Sequence, residues 1–249
     1  MMRPQALIVS APGTNRDGES AFALELAGAR STTVLLNDLI TNPQVLRESQ
    51  MLVIPGGFSF ADALGAGRLF ALELTTRLAD SLHQFVAAGR PVIGICNGFQ
   101  TLIRTGLLPG DQRHIALGHN QRKNGQPAPF VCEWVRLQPR SQRCIWTADL
   151  TEEIHCPVAH GEGRVAASPE TVRLLQDNDQ VALTYSGGNP NGSVADIAGI
   201  TDTTGLVLGL MPHPEDHVLA RQHPRVSRGH RGGLGLELFQ AGVRHAAQL

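Results

Sequence analysis

Apolar residues follow one rhythm up to about residue 110 and another beyond it. In the first part, short β-branched runs alternate with helix-spaced ones, the pattern of parallel β-α units. ALIV at 6–9 reads as a strand, followed by the turn SAPGTNRDG and a helix from about Glu19 to Ala27 that Gly28 closes. TTVLL (32–36) is a second strand, and MLVIPGG (51–57) a third that ends in a Gly-Gly turn. Leu74, Leu78, Leu82, Phe85 and Val86 recur at helical spacing, and Gly89 stands where a C-terminal cap is expected. PVIGI (91–95) is a buried strand, and Asn97 to Thr105 reads as the helix after it.

Beyond residue 110 the runs GQPAPFVCEWVRLQ and EEIHCPVAHGEG alternate over longer stretches, and VALTY, VADIAGITD and LVLGLMPHPE follow. They predict strands that extend the sheet without regular intervening helices. LGHNQRKNGQPAP and SGGNPNGS, rich in Gly, Asn and Pro, read as ordered surface turns at an interface. The segment 217–233, HVLARQHPRVSRGHRGG, is the one basic cluster and reads as a solvated or partner-facing loop.

Composition narrows the picture. With 249 residues, 42% of them hydrophobic, one domain spanning 1–249 with a substantial core is expected. A net charge of -1 provides no general attraction to nucleic acid or anionic lipid. No run approaches the roughly 20 apolar residues of a membrane span, and the apolar run near the N-terminus is too short for a signal peptide, so a cytoplasmic protein is expected. Four cysteines without a C-x-x-C pair suggest neither a disulfide framework nor a zinc site, and no metal is expected.

The chemistry centres on Gly94-Ile95-Cys96-Asn97-Gly98, between the buried strand and the helix. G-x-nucleophile-x-G is the spacing of a nucleophile elbow, whose glycines permit close backbone approach around a tight, strained turn. At the start of a helix, unpaired N–H groups stabilise negative charge on the sulfur. A cysteine nucleophile needs a base, and the base an orienting group. MPHPE offers both: His213 follows an apolar strand, and Glu215, two residues on, projects to the same side of an extended segment. Both Cys96 and His213 then lie at the carboxyl ends of sheet strands, where open α/β sheets place their sites. The amide of Asn97 is one candidate donor to a developing oxyanion, and the turn PGGFS offers another from Gly57 or Phe58.

PGGFS, GICNGFQ and MPHPE, in this order, resemble the triad glutaminases, the class I glutamine amidotransferases. CNGFQ, AHGEGR (159–164) and NPNGS (189–193) are most similar to the glutaminase subunits of phosphoribosylformylglycinamidine synthases, and the likeness runs from near the N-terminus to Glu215. The resemblance implies a flavodoxin-like α/β fold, a central mostly parallel sheet flanked by helices, with extra antiparallel strands. It implies Cys96 as nucleophile, His213 as general base and acid, and Glu215 as its orienter. It further implies Gln100 as a glutamine contact, the amides of Gly57 and Asn97 as oxyanion donors, and His160 and Glu162 lining or supporting the pocket. The implied activity releases ammonia from glutamine for an ATP-dependent synthetase large subunit, with a small accessory subunit. That partner converts formylglycinamide ribonucleotide to the amidine and holds ATP and Mg, and this chain needs no cofactor. Arg16 stands where many relatives have cysteine, and Ala61 and Ala63 where a glycine and an aromatic are usual. These departures bear on loop packing and the partner surface. Two rival readings remain at this level: a triad glutaminase serving another acceptor, and a cysteine hydrolase or deglycase on the same scaffold.

Overall fold

The computed structural model describes residues 3–111, 113–122 and 124–249, so Lys123 of the 117–129 segment lies outside the described residues. The chain runs β1 (Gln5–Ser10), α1 (Asp17–Ala27), β2 (Arg30–Leu35), two short helices α2 (Leu36–Thr41) and α3 (Gln44–Glu48), and β3 (Met51–Ile54). Helices α4 (Arg68–Arg77) and α5 (Ala79–Ala87) precede β4 (Val92–Ile95) and α6 (Asn97–Thr105). Strands β5 (Ala116–His119), β6 (Val131–Pro139), β7 (Ile154–His160) and β8 (Glu162–Ala166) lead to α7 (Pro169–Asp177). Strands β9 (Val181–Ser186), β10 (Ile197–Thr201) and β11 (Val207–Leu210) come next, and α8 (Leu236–Ala246) closes the chain.

Nine strands form one sheet in the order β2-β1-β3-β4-β11-β10-β9-β6-β7, while β5 and β8 pair separately. The five strands from β2 to β11 are mutually parallel, and β10, β9, β6 and β7 continue the sheet antiparallel. Burial explains the division. Strands β3, β4 and β11 are buried at every residue, as parallel strands covered on both faces must be. Helices α1 and α8 pack together on one face, and the set α2 to α6 covers the other. Phe70, Phe99, Trp146 and Phe239 are among the largest fully buried side chains. Gly242 of α8 lies against the Trp146 ring, where a β-carbon would collide.

Two expectations need correction. The helical run from Leu74 to Val86 is two helices, broken at Leu78, whose φ of -130° leaves the helical region. The added strands are not wholly without an intervening helix, since α7 stands between β8 and β9. Helix α7 carries its own start signal: the Ser168 side chain accepts from the Thr171 N–H, with Pro169 at the first helical position. Gly28, by contrast, ends α1 as expected, at φ 106°.

Candidate active site

Sheet register assembles the site before any side chain is considered. Strands β3, β4 and β11 are parallel neighbours, with Ile54 opposite Gly94 and Ile95 opposite Leu210. Their carboxyl ends therefore release Pro55-Gly56-Gly57, Cys96 and Met211-Pro212-His213 side by side. The Cys96 N–H still donates to Leu210 O (2.8 Å), and the chain then turns sharply. Cys96 adopts φ 52° and ψ -105°, a conformation costing about 1–3 kcal/mol for a residue with a side chain. The flanking glycines explain how the turn is tolerated. A β-carbon on Gly98 would enter the Ile54 carbonyl, and one on Gly94 would come within 2.7 Å of the Gly98 backbone. Spacing that identified an elbow in the sequence is thus a steric requirement of the fold.

His213 is buried, and its N–H donates to Pro157 O of β7 (2.8 Å), fixing the turn after β11. Its Nδ1 donates to Glu215 Oε1 at 2.7 Å. Glu215 has no exposed surface, and its Oε2 finds no partner. Burial opposes charge on His213, but Glu215 and then Cys96 outweigh it and hold the imidazole pKa well above its usual value. Gly56 makes room for this ring, since a β-carbon there would sit 2.7 Å from His213 Cε1.

A cavity of about 430 Å³ opens beside Cys96, bounded by Gly57, Phe58, Gln100, His160 and Glu162 and also by Asp62, His119 and Phe130. Phe58 and Phe130 are both about half exposed, and the enclosed volume suits a small amino acid. In the bridge between Thr14 and Gly57, the flanking bonds run from Phe58 N–H to Gly13 O and from Asn15 N–H to Gly56 O. Phe58 has therefore committed its amide, whereas the Gly57 N–H stays outside the bridge. Of the two residues expected as oxyanion donors in this turn, Gly57 remains available. The Asn97 N–H opens α6, where no earlier helical carbonyl accepts it.

The other expected residues take distinct places. Asn97 does not line the cavity; its side chain is buried, accepting from the Ser59 N–H (3.2 Å) and donating to Asp62 Oδ1 and Gln100 Oε1 (3.0 Å each). Gln100 in turn donates to the Glu162 carbonyl, so Asn97 and Gln100 tie the 59–62 turn, α6 and β8 into one wall. Glu162 pairs with Arg104 at 3.5 Å. His160 supports the cavity as a buried neutral ring: burial first, then the charge of His213, pushes its pKa down to about 4. Its Nδ1–H donates to Asn120 Oδ1 (3.0 Å), and its Nε2 accepts from Asn191 Nδ2 (3.4 Å). In AHGEGR, the second glycine is required because a β-carbon on Gly163 would enter the His160 ring.

Two residues with a place at the site were not among those singled out, and a third, Arg16, was marked only as a departure from the family pattern. Asp62 lines the cavity, with its pKa raised chiefly by burial. Asn191, in the segment read as a surface turn, is instead fully buried and donates to Gly163 O as well as His160. Arg16 lies 3.6 Å from Asp216, the residue after Glu215, whose carboxyl is raised to about 6 by burial and by Glu215. Its departure from the usual cysteine therefore touches the turn that carries the triad acid. PGTNRD was the available signal for it.

The model for the CobB/CobQ-like glutamine amidotransferase domain matches residues 3–246. The chain belongs to this glutamine amidotransferase family. Phosphoribosylformylglycinamidine synthase subunit PurQ of Treponema denticola is 46% identical, covering 98% of this chain and 99% of that protein. Its counterpart from Dehalococcoides mccartyi is 40% identical over the full length of both. Among solved structures, a chain in the structure of PurLQS from Thermotoga maritima superposes with a TM-score of 0.77 at 33% identity, covering 98% of this chain and 99% of its own. A Thermotoga maritima glutamine amidotransferase at 14% identity and a TM-score of 0.58 shares the fold.

Proposed function

We propose that the chain is the glutaminase subunit of a phosphoribosylformylglycinamidine synthase, with Cys96, His213 and Glu215 as its triad. The observation that carries the reading is the convergence of a strained Cys96 and a buried His213–Glu215 pair at neighbouring strand ends, beside a cavity of amino-acid size. The Cys96 sulfur attacks the side-chain amide carbon of glutamine, and the oxyanion receives the N–H groups of Gly57 and Asn97. His213 gives its Nε2 proton to the departing ammonia, leaving a thioester on Cys96. Water then attacks the thioester with His213 as base; glutamate leaves and the thiol is restored. Throughout, Glu215 holds Nδ1–H, so the other nitrogen faces the reaction.

Ammonia passes to an ATP-dependent synthetase subunit, which uses it to make formylglycinamidine ribonucleotide in purine biosynthesis. The PurLQS neighbour and the PurQ relatives support this assembly with a large and a small partner. Residues 1–249 act as one amidotransferase domain, a reading supported by the continuous nine-stranded sheet. Glutamine hydrolysis here uses no cofactor; ATP and Mg serve the synthetase. The setting is the cytoplasm, in keeping with the absence of any helix long and apolar enough to cross a membrane among the described residues.

The test is amidine formation by the synthetase and small subunit from the same source, with ATP and formylglycinamide ribonucleotide. Adding the chain should make glutamine as usable as ammonia. Cys96→Ala should abolish the glutamine-dependent rate and leave the ammonia-dependent rate intact. Retained glutamine use in that variant overturns the nucleophile; ammonia use without glutamine use by the unmodified chain overturns the acceptor.

A further inference from the structure

The basic segment 217–233 does not simply spread into solvent. His217 Nδ1 donates to the His155 carbonyl of β7 (2.6 Å), and the His155 N–H donates to Gly233 O (2.8 Å), so both ends of the segment are tied to one strand. Trp134 of β6 meets His217 and His223 edge-on, at 5.2 and 4.6 Å between ring centres. His223 and His230 stack at 3.5 Å. As a result His155, His223 and His230 each bring a ring nitrogen within 4.8 Å of the others.

Such packing of imidazoles suits lone pairs and not protons. The Nε2 atoms of His217 and His230 are buried without a hydrogen-bond partner. Buried polar atoms are ordinarily satisfied, and an orphan on a member of the cluster, His230, points to a missing electron-pair acceptor. Of the three central rings, only His223 has a bonded nitrogen, which accepts the Arg225 N–H at 3.1 Å through a lone pair a metal could equally take. Among the charged groups at the rim, Glu153 pairs with Arg136 at 3.6 Å, Glu152 lies near Gly232, and Arg225 borders His223.

We propose that His155, His223 and His230 are the protein ligands of a divalent transition-metal ion of the zinc type, which fastens the 217–233 segment to strand β7. Three neutral imidazoles with no thiolate or carboxylate among them favour Zn, Ni or Cu over Mg or Ca. His217 is the nearest further donor, and its Nδ1–H···O=C bond to His155 is the outer contact by which ligating histidines are usually oriented. Ligand nitrogens about 3.3 Å apart around a tetrahedral ion require the stacked His223 and His230 rings to turn out of their parallel arrangement, so that their in-plane lone pairs converge. Cysteine spacing does not reveal this site, because its ligands are histidines, two of them 68 and 75 positions beyond the first.

The site is independent of the glutaminase reading and is tested in a full-length Cys96→Ala chain, so that the thiol does not compete for metal. After treatment with a chelator, zinc is titrated calorimetrically and cobalt(II) by its visible spectrum. One zinc per chain, an intense four-coordinate cobalt spectrum, and a melting temperature raised by roughly 5–10 °C at a hundredfold excess over Kd are expected. His223→Gln and His230→Gln should each weaken binding by at least about 100-fold, the upper range for loss of a mere outer-shell partner. Affinity as tight as the parent chain's in either variant overturns the assignment, as does an octahedral cobalt spectrum or stabilisation by inorganic phosphate in place of zinc. Should either variant fail to fold, the cobalt spectrum of the chain with its histidines intact decides.

Discussion

His213 and His160 are both buried and lie near the same cysteine, yet their surroundings drive them to opposite protonation states. His213 sits on the parallel side of the molecule, in a turn that provides a buried carboxylate at 2.7 Å. His160 ends an antiparallel strand, between two asparagines that give it one acceptor and one donor and no charge. Burial alone lowers both; the carboxylate, and after it Cys96, reverses this for His213. A proton-transfer group and a structural group can therefore be told apart by their partners when burial is the same.

The sharpest way to break the contrast is to remove the carboxylate's charge. Glu215→Gln retains size and burial but loses the charge that favours the imidazolium and the acceptor that fixes Nδ1–H. Turnover of glutamine should fall by roughly 1,000-fold or more, while KM changes little, because the lost interaction acts on the base rather than on bound substrate. Steady-state glutaminase kinetics on the assembled complex check this, and an unchanged kcat removes Glu215 from the triad.

A second test titrates His160. Its folded pKa, about 4, lies below the unfolded value near 6.5, so the unfolded chain binds a proton that the folded chain refuses throughout that interval. Stability consequently falls as pH drops from 6.5 towards 4, by roughly 2–3 kcal/mol for a group this buried. His213 works in the other direction, with stability present below its unfolded value and lost only as pH rises through its raised one. His160→Gln keeps one donor and one acceptor but cannot titrate. The variant should be less stable than the parent at pH 7 and lose that deficit by pH 4.5, as measured by denaturant unfolding at both values. A constant gap between the two proteins would mean that His160 is protonated freely in the fold.

How much of this was readable in the sequence differs between the same two sides. The elbow, the Gly-Gly turn and the His-x-Glu turn each occupy a few consecutive residues at the end of an apolar run, so local spacing reveals them. Parallel pairing then aligns those ends without further information. On the antiparallel side, His160 depends on Asn120 and Asn191, 40 residues before it and 31 after it, which meet only through tertiary packing. The 189–193 turn looked exposed because asparagine and glycine favour turns, but Asn191 is buried by making its hydrogen bonds inward. Helix α7 was missed although Ser168-Pro169 is a legible start, because the strand rhythm around it masks nine helical residues. The break at Leu78 left no local signal, since apolar spacing continues across it.

The smallest effect concerns the loop that joins the two sides at the cavity. Phe60, Ala61 and Asp62 all have φ between 52° and 54°, a run in the left-handed region without a glycine. Ala61 occupies a position where the resembling family usually has glycine, and its N–H donates to Phe58 O at 2.8 Å, so the loop keeps its turn despite the β-carbon. Left-handed backbone costs a residue with a side chain about 1–2 kcal/mol, and glycine escapes that cost. Glycine also enlarges the unfolded ensemble, which takes back roughly 0.4–1 kcal/mol. Ala61→Gly should therefore stabilise the chain by about 0.5–1 kcal/mol in denaturant unfolding, with glutamine turnover unchanged within about twofold. A destabilised variant would show that the β-carbon of Ala61 contributes packing that outweighs the strain of its backbone. The departure from glycine would then belong to the structural side of the comparison, with the asparagines around His160, while the Asp62 carboxylate beside it stays with the cavity.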